Sequence, residues 1–307
     1  MNMVEETQKE NVKKVYLIGH TDVDGIASIA LAKKGFKPKE NEYGILLHDP
    51  SKQFSDVFAE IVVIADIAVT FQTFGSLANI HAKTVVWIDH HRPYTDISAL
   101  KFPANVQVIL DPSAPSASLL VQKYFNLNDE ISKKIVELGT KADQWQLNSE
   151  VQDWMDVVAG AVYYQENPEK VVSALETLDI AKVQEILTKY RSEKEEAKKE
   201  LIKNTVVRNI KGHSVAIGLS PEILSGSESA DILLKNTNSE VQIVLKKEGW
   251  MSFRRAKTST VNLITLAKAF GGGGHEYASG AVLGKSVTLE NFEKIADEIF
   301  SKIESVL

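Results

Sequence analysis

Aspartates and histidines recur in this chain where apolar runs stop. His20, Asp22 and Asp24 alternate in GHTDVDGIAS (19–28), and Asp66 closes EIVVIA (60–65). Asp89, His90 and His91 follow TVVWI (84–88), and Asp143 stands in KADQW. If residues 20–24 were extended, two-residue periodicity would set His20, Asp22 and Asp24 on one face, with Gly25 allowing a tight turn into a helix. Taken alone, that pattern describes a capped strand–helix turn equally well. Adjacent histidines cannot share one side of an extended strand. The reading therefore assigns His90 to a metal and turns His91 towards a substrate oxygen, with plain capping of the strand as the alternative. Asp89 is expected to orient a histidine or to accept from the backbone.

His20, Asp22, Asp24, Asp66, His90 and Asp143 form a mixed oxygen and imidazole set suited to hard or borderline divalent ions. Four of the six are carboxylates, which would repel one another or hold protons if crowded without a counter-charge. Two divalent cations neutralise them on a simple charge count, so the expectation is a two-metal site with ions about 3.5–4 Å apart. Imidazole ligands tilt the choice away from a pure Mg²⁺ site towards Mn²⁺, with Mg²⁺ or Co²⁺ as alternatives. The chain has no cysteine, which excludes disulfides and thiolate-held zinc or iron–sulfur groups.

The elements that must position these groups read as strands at 14–19, 43–47, 60–65, 84–88 and 106–110. Helix-compatible stretches alternate with them, at 25–34 and 116–125. Such alternation predicts an α/β fold with a doubly wound, mostly parallel sheet, and the ligand crevice of such a sheet lies beyond the carboxyl ends of its strands. Helical patterns follow at 128–145, 151–164, 168–178 and 181–204, the last highly charged and read as a solvated helix bridging two domains. Short strands at 214–220, 241–247 and 249–255 and helices at 261–270 and 288–306 predict a smaller α/β domain. On the last helix Leu289, Phe292, Ile295, Ile299, Ile303 and Val306 would share one face. The expected division of the 307 residues is a metal-binding domain at 1–185, a helical linker at 186–205 and a substrate-binding domain at 206–307.

The motifs HTDVDG, IAD, DHH and KAD, in this order, resemble those of the DHH phosphoesterase superfamily, and SFRR with AFGGGGHEYASGA resembles its DHH-associated domain. The resemblance covers both parts of the chain. It implies two metals, commonly manganese. His20, Asp22 and Asp66 would hold one ion; Asp24, Asp66, His90 and Asp143 would hold the other, with Asp66 bridging. His91 would contact the scissile phosphate. Many nanoRNases have a Pro in the first motif that is absent here, and HTDVDG is closer in spacing to RecJ-like enzymes.

Residues 246–257 carry five Lys or Arg against one Glu, although the whole chain has a net charge of −6. Arg254 is the expected phosphate grip, with Arg255 on the opposite strand face. Gly272, Gly273, Gly274 and His275 form the expected substrate loop, since consecutive glycines let backbone N–H groups approach a phosphate. Arg92 could reach the cleft or face solvent. The serines of DPSAPSASLL (111–120) stand near a helix start that could bind an anion, capping being the simpler role. His48, His81 and His213 read as structural, Trp145 and Trp154 as packing residues, and Tyr277 as a candidate for base stacking.

The resulting expectation is an oligoribonuclease-like exonuclease acting on short single-stranded RNA or DNA, or a hydrolase of 3′,5′-bisphosphate nucleotides. The alternatives are a phosphohydrolase of cyclic dinucleotides or pyrophosphate, or a non-catalytic nucleotide-binding module. The N-terminal stretch lacks the apolar core of a signal peptide, and no segment has the roughly 20 apolar residues of a membrane span. These features predict a cytoplasmic protein without a membrane partner and leave a homodimer open.

Overall fold

Strand β1 (Lys13–His20) lies between β2 (Tyr43–His48) and β3 (Val57–Ala65), and β4 (Ile80–Asp89) and β5 (Val106–Leu110) continue the sheet. All four pairings are parallel, in the order β2-β1-β3-β4-β5. This computed structural model describes residues 12–49, 52–92 and 99–307. The polar stretch 1–11 lies outside them.

The strands are apolar on both faces, as a covered parallel sheet requires. Val15, Leu17, Val63, Ala65, Val86 and Ile88 face one core with helix α1 (Val23–Phe36). Ile18, Val62, Ile64, Val85 and Trp87 face the other, with Phe54, Ile67 and Val69. Helical cover is uneven. On the first face α1 packs against β1 and against α3 (Ala117–Tyr124), α4 (Glu130–Asp143) and α6 (Pro168–Glu176). On the second, loop residues and the short α2 (Phe71–Gly75) close the core. Trp87 is fully buried there and donates its indole N–H to the carbonyl of Ile67 at 2.8 Å.

Helix α1 is buried along Val23–Ala32 because it lies between sheet and outer helices. Its Asp22 N-cap accepts from the Gly25 N–H at 2.9 Å. The chain bends at residues 21–22, so the extended 20–24 stretch does not exist and Asp24 sits inside the first helical turn. Gly25 is likewise helical and does not supply a turn. A Cβ there would lie 2.4 Å from the His20 carbonyl oxygen, so glycine is needed for close approach of helix to strand.

Helices α5 (Ser149–Tyr163) and α6 complete the first compact unit, Met1–Tyr190, and α7 (Gln184–Lys203) runs into the second, Arg191–Leu307. Helix α7 is not solvated all round, contrary to expectation. Ile186, Leu187, Tyr190, Lys194, Ala197 and Leu201 are buried at helical spacing. Lys194 forms an ion pair with Glu228.

The second unit contains a mixed six-stranded sheet, β10-β11-β9-β8-β7-β6. Its strands are β6 (Thr205–Ile210), β7 (His213–Leu219), β8 (Val241–Leu245), β9 (Trp250–Arg255), β10 (Gly273–His275) and β11 (Ala278–Val282). Val215, Ile217, Val241, Ile243, Met251 and Phe253 pack with α9 (Leu263–Lys268) and α10 (Phe292–Glu304). Helix α8 (Gly226–Thr237) packs against β8 and β9. On α10, Phe292, Ile295, Ile299 and Ile303 are buried as expected, but Leu289 and Val306 lie beyond its ends and are exposed. Strands β6, β10 and β11 and helix α8 had no counterpart in the sequence reading.

Candidate metal centre

Every expected metal-binding group of the first unit lies at or near the carboxyl edge of its sheet. His20 ends β1, Asp66 follows β3, and Asp89 ends β4 with His90 and His91 just beyond. In an open parallel sheet the crevice forms where strand order reverses, here between β1 and β3.

Asp66 is the hub. It is 2% exposed, and its backbone has φ +58°, a left-handed conformation that aspartate tolerates better than most residues. His90 Nε2 lies 3.5 Å and His91 Nδ1 3.9 Å from its Oδ1, while His20 Nδ1 lies 3.9 Å from its Oδ2. Neither carboxylate oxygen receives a hydrogen bond from a protein N–H or O–H, and His90 Nε2 is also buried without a partner. Burial, followed by the negative charges of Asp22 and Asp24, raises the Asp66 pKa well above the usual carboxylate range.

The expectation that His90 and His91 face different ways is overturned. The strand ends at Asp89, so alternation no longer governs the next two residues. Their rings stand 4.7 Å apart, and both reach towards Asp66. Asp89 Oδ1 accepts from His91 Nδ1 at 2.7 Å. That bond raises the His91 pKa against the opposing effect of burial.

Two groups of candidate ligands result, His20–Asp22–Asp66 and Asp66–His90–His91, with the ligand atoms of each within 4.8 Å of one another. They share Asp66. Asp143, at the end of α4, brings Oδ2 to 3.9 Å from His90 Nε2. Burial raises the Asp143 pKa, opposed by the charge of His90. Asp22 Oδ2 lies 2.6 Å from His20 Nδ1. Burial favours a proton on Asp22, but the His20 contact and the Gly25 N–H outweigh it and hold its pKa low. The same contact raises the His20 pKa although burial works the other way.

Asp24 is held differently. It is 1% exposed, and its two oxygens accept from Ala117 N at 2.7 Å and Ser118 N at 3.2 Å, at the start of α3. Burial pushes its pKa up to about 6, even though those bonds pull it down. The serine-rich segment therefore does meet an anion at a helix start, and that anion is the chain's own carboxylate. Ser116 caps the same helix.

Buried carboxyls with raised pKa values, orphaned oxygens and an orphaned imidazole nitrogen fit divalent cations. His48, read as structural, has a further feature. It pairs in register with His20 at the carboxyl edge, is 4% exposed, lies tilted against the Phe54 ring and leaves Nε2 without a hydrogen-bond partner. Its position at the end of YGILLH was the only signal. His81 stacks on Phe58, and His213 contacts Glu240 at 2.8 Å. Trp154 is buried, but Trp145 is 52% exposed and is no packing residue.

In the second unit Arg254, Ala278 and His275 stand opposite one another across β9, β11 and β10, and so share a sheet face. Arg254 donates to Ser227 Oγ at 3.0 Å and to the Phe253 carbonyl at 2.9 Å. Three of its five donors stay uncommitted. Arg255 points to the other face and donates to the Val261 carbonyl at 2.7 Å. The glycine run is a β-hairpin and not a linker. A Cβ on Gly272 would lie 2.0 Å from the Gly280 carbonyl oxygen, and Gly274 has φ +136°. Gly273, Gly274 and His275 are exposed, and the His275 ring stacks on exposed Tyr277. Arg92 is exposed.

Residues 14–142 match the family model described as DHH family, N-terminal domain. The first unit carries a DHH family N-terminal domain. No curated protein sequence matches it. Among solved structures, the pGpG-specific phosphodiesterase PggH from Vibrio cholerae aligns over 96% of this chain and 100% of its own, at 14% identity and TM-score 0.59. RecJ from Thermus thermophilus in complex with Mn²⁺ aligns over 99% of this chain at 16% identity and TM-score 0.61. This chain spans 54% of that RecJ chain. The DHH domain of PF0399 gives 14% identity and TM-score 0.63 over 100% of this chain and 93% of that one. At such identities the likeness is one of fold. The DHH assignment covers the unit that carries the metal centre, and no described helix is long and apolar enough to cross a membrane.

Proposed function

We propose that this chain is a divalent-metal-dependent phosphoesterase that hydrolyses short oligonucleotides, down to dinucleotides, or 3′,5′-bisphosphate nucleotides. The observation that carries this reading is Asp66, a buried carboxylate common to two ligand groups with neither oxygen hydrogen-bonded by a protein donor. His20 and Asp22 would share one cation with it; His90 and Asp143, joined by Asp24, would share the other. When bound, such a pair supplies Lewis-acid stabilisation of phosphoryl oxygens and acidifies water.

The chain's own groups do the rest. Asp89 holds His91 through Nδ1, which leaves Nε2 to meet a non-bridging phosphate oxygen, and the raised pKa keeps that nitrogen a donor closer to neutral pH. Arg254, steadied by Ser227, offers its remaining donors to a substrate phosphate. His275 and the exposed glycine N–H groups of the hairpin offer further donors to the substrate end. The printed activities of the PggH and RecJ neighbours, a pGpG phosphodiesterase and an exonuclease, support a phosphodiester substrate. Manganese is the proposed ion, and the cytoplasm the proposed compartment.

The test is a substrate panel with Mn²⁺: di- to pentanucleotides of RNA and DNA, linear pGpG, a bisphosphate nucleotide, cyclic dinucleotides and pyrophosphate. Release of nucleoside monophosphates from the short linear substrates, or of phosphate from the bisphosphate, is expected. Turnover only of cyclic dinucleotides or pyrophosphate moves the chain to the alternative hydrolase reading. A folded preparation that binds Mn²⁺ but hydrolyses none of these overturns the enzyme reading.

A further inference from the structure

Three helices of the first unit meet at Asp24, and the point of contact is a glycine. Gly139 lies on α4. A Cβ built on it would fall 2.6 Å from Asp24 Oδ1 on α1, 2.7 Å from Ser118 Oγ on α3 and 3.4 Å from Ala27 Cβ. Side chains do not approach so closely, so α4 can reach Asp24 only without one there. The junction is also tied by hydroxyls. Ser118 Oγ donates to Ser116 Oγ at 3.1 Å, and Ser116 Oγ lies 2.7 Å from Thr140 Oγ1 on α4. The backbone N–H groups of Ala117 and Ser118 complete the hold on Asp24. Asp143 lies four residues beyond Gly139 and hence one turn along the same helix face. The spacing of α4 from α1 therefore sets, at one contact, the place of Asp24 and the height at which Asp143 meets His90.

We propose that Gly139, with the Ser116–Thr140 hydroxyl bridge, is a positioning device for one half of the metal centre, the half formed by Asp24, His90 and Asp143. It rests on the two-ion reading above. The half formed by His20 and Asp22 stands on β1 and the α1 cap, and neither residue is among the three nearest to a Cβ at 139. A methyl at 139 must turn the Asp24 carboxylate off the α3 N–H groups or lift α4, and either change separates Asp24 from Asp143.

The experiment counts bound ions by Mn²⁺ titration of the full chain, reading free Mn²⁺ by its electron paramagnetic resonance signal, for wild type, Gly139→Ala, Thr140→Val and Gly160→Ala. Gly160 is the control for a packing defect alone, because a Cβ there would meet Tyr190 Cβ at 2.9 Å, in contact with α7 rather than with the centre. The expected result is two ions in wild type and in Gly160→Ala. In Gly139→Ala one of the two should weaken by about 10–100-fold, the range seen when groups supporting metal ligands are removed, while the other is unchanged. Thr140→Val should weaken the same ion by a smaller factor, and it decides the matter if Gly139→Ala does not fold. Wild type binding fewer than two ions refutes the two-ion reading, and this inference with it. Two ions in wild type, with equal loss of both or of neither in Gly139→Ala and Thr140→Val, overturns the positioning role alone.

Discussion

Asp24→Asn in the metal-free protein separates the electrostatics of the centre from its packing. The Asp24 carboxyl is 1% exposed, and its pKa is raised from 3.8 to about 6, chiefly by burial. Below pH 3.8 both folded and unfolded chains hold the proton, and no penalty arises. Above that the unfolded chain releases it while the folded chain keeps it, so stability falls as pH rises, until the folded carboxyl ionises near pH 6. A gap of about two pH units at about 1.4 kcal/mol each gives a loss of about 3 kcal/mol, of which about 2 kcal/mol falls between about pH 4.5 and 6. Carboxyls held low, such as Asp22 and Asp129, are ionised in both states across that window. Asparagine does not titrate, and the pH dependence of His48 is common to both proteins; the raised Asp66 pKa falls when the Asp24 charge is removed, which acts in the same direction as the predicted difference. The asparagine NH₂ must also face one of the Ala117 and Ser118 N–H groups, a pH-independent loss of about 1–3 kcal/mol. Urea unfolding in chelator, followed by tryptophan fluorescence, gives both stabilities. Wild type is expected to lead at about pH 4.5 and to lose about 2 kcal/mol of that lead by about pH 6. Parallel stability profiles would show that Asp24 keeps its ordinary pKa and would refute the account of a crowded, proton-holding centre.

Two further outcomes follow from the same geometry. His90→Ala should reduce hydrolysis to the level of the no-enzyme control and remove one bound Mn²⁺, measured by product formation and metal count on one preparation. Arg254→Ala should raise KM by about 10–100-fold, the value of one or two charge-assisted hydrogen bonds, with kcat little changed; a fall in kcat at unchanged KM would place Arg254 at the reacting phosphate.

The parallel sheet was legible because its strands are continuous β-branched and aliphatic runs that end on acids or histidines. Chemistry at the carboxyl edge followed from that pattern alone. What misled was local periodicity applied one residue too far. Alternation was extended through residues 20–24 and through 90–91, but the chain leaves the strand at His20 and at Asp89, and the side chains then follow a helix start and a loop. The junction at Gly139 was invisible for a different reason, since a glycine inside a helix signals close approach only when the neighbouring helices are known. In the second unit, β10 and β11 hid in a glycine-rich stretch with little apolar content, and β6 lay next to a charged helix that masked its start. Trp145 was given to packing by residue type, and only the exposed turn after α4 shows otherwise.

The backbone of Asp66 narrows the choice of residue there on two separate grounds. Glycine or asparagine would accept the left-handed turn but bring no negative charge, and glutamate would bring the charge on a longer stem with less tolerance of the turn. Aspartate meets both demands at once, whereas each of these changes gives up part of one, so the backbone of the loop after β3 and the charge it presents are set by the same residue.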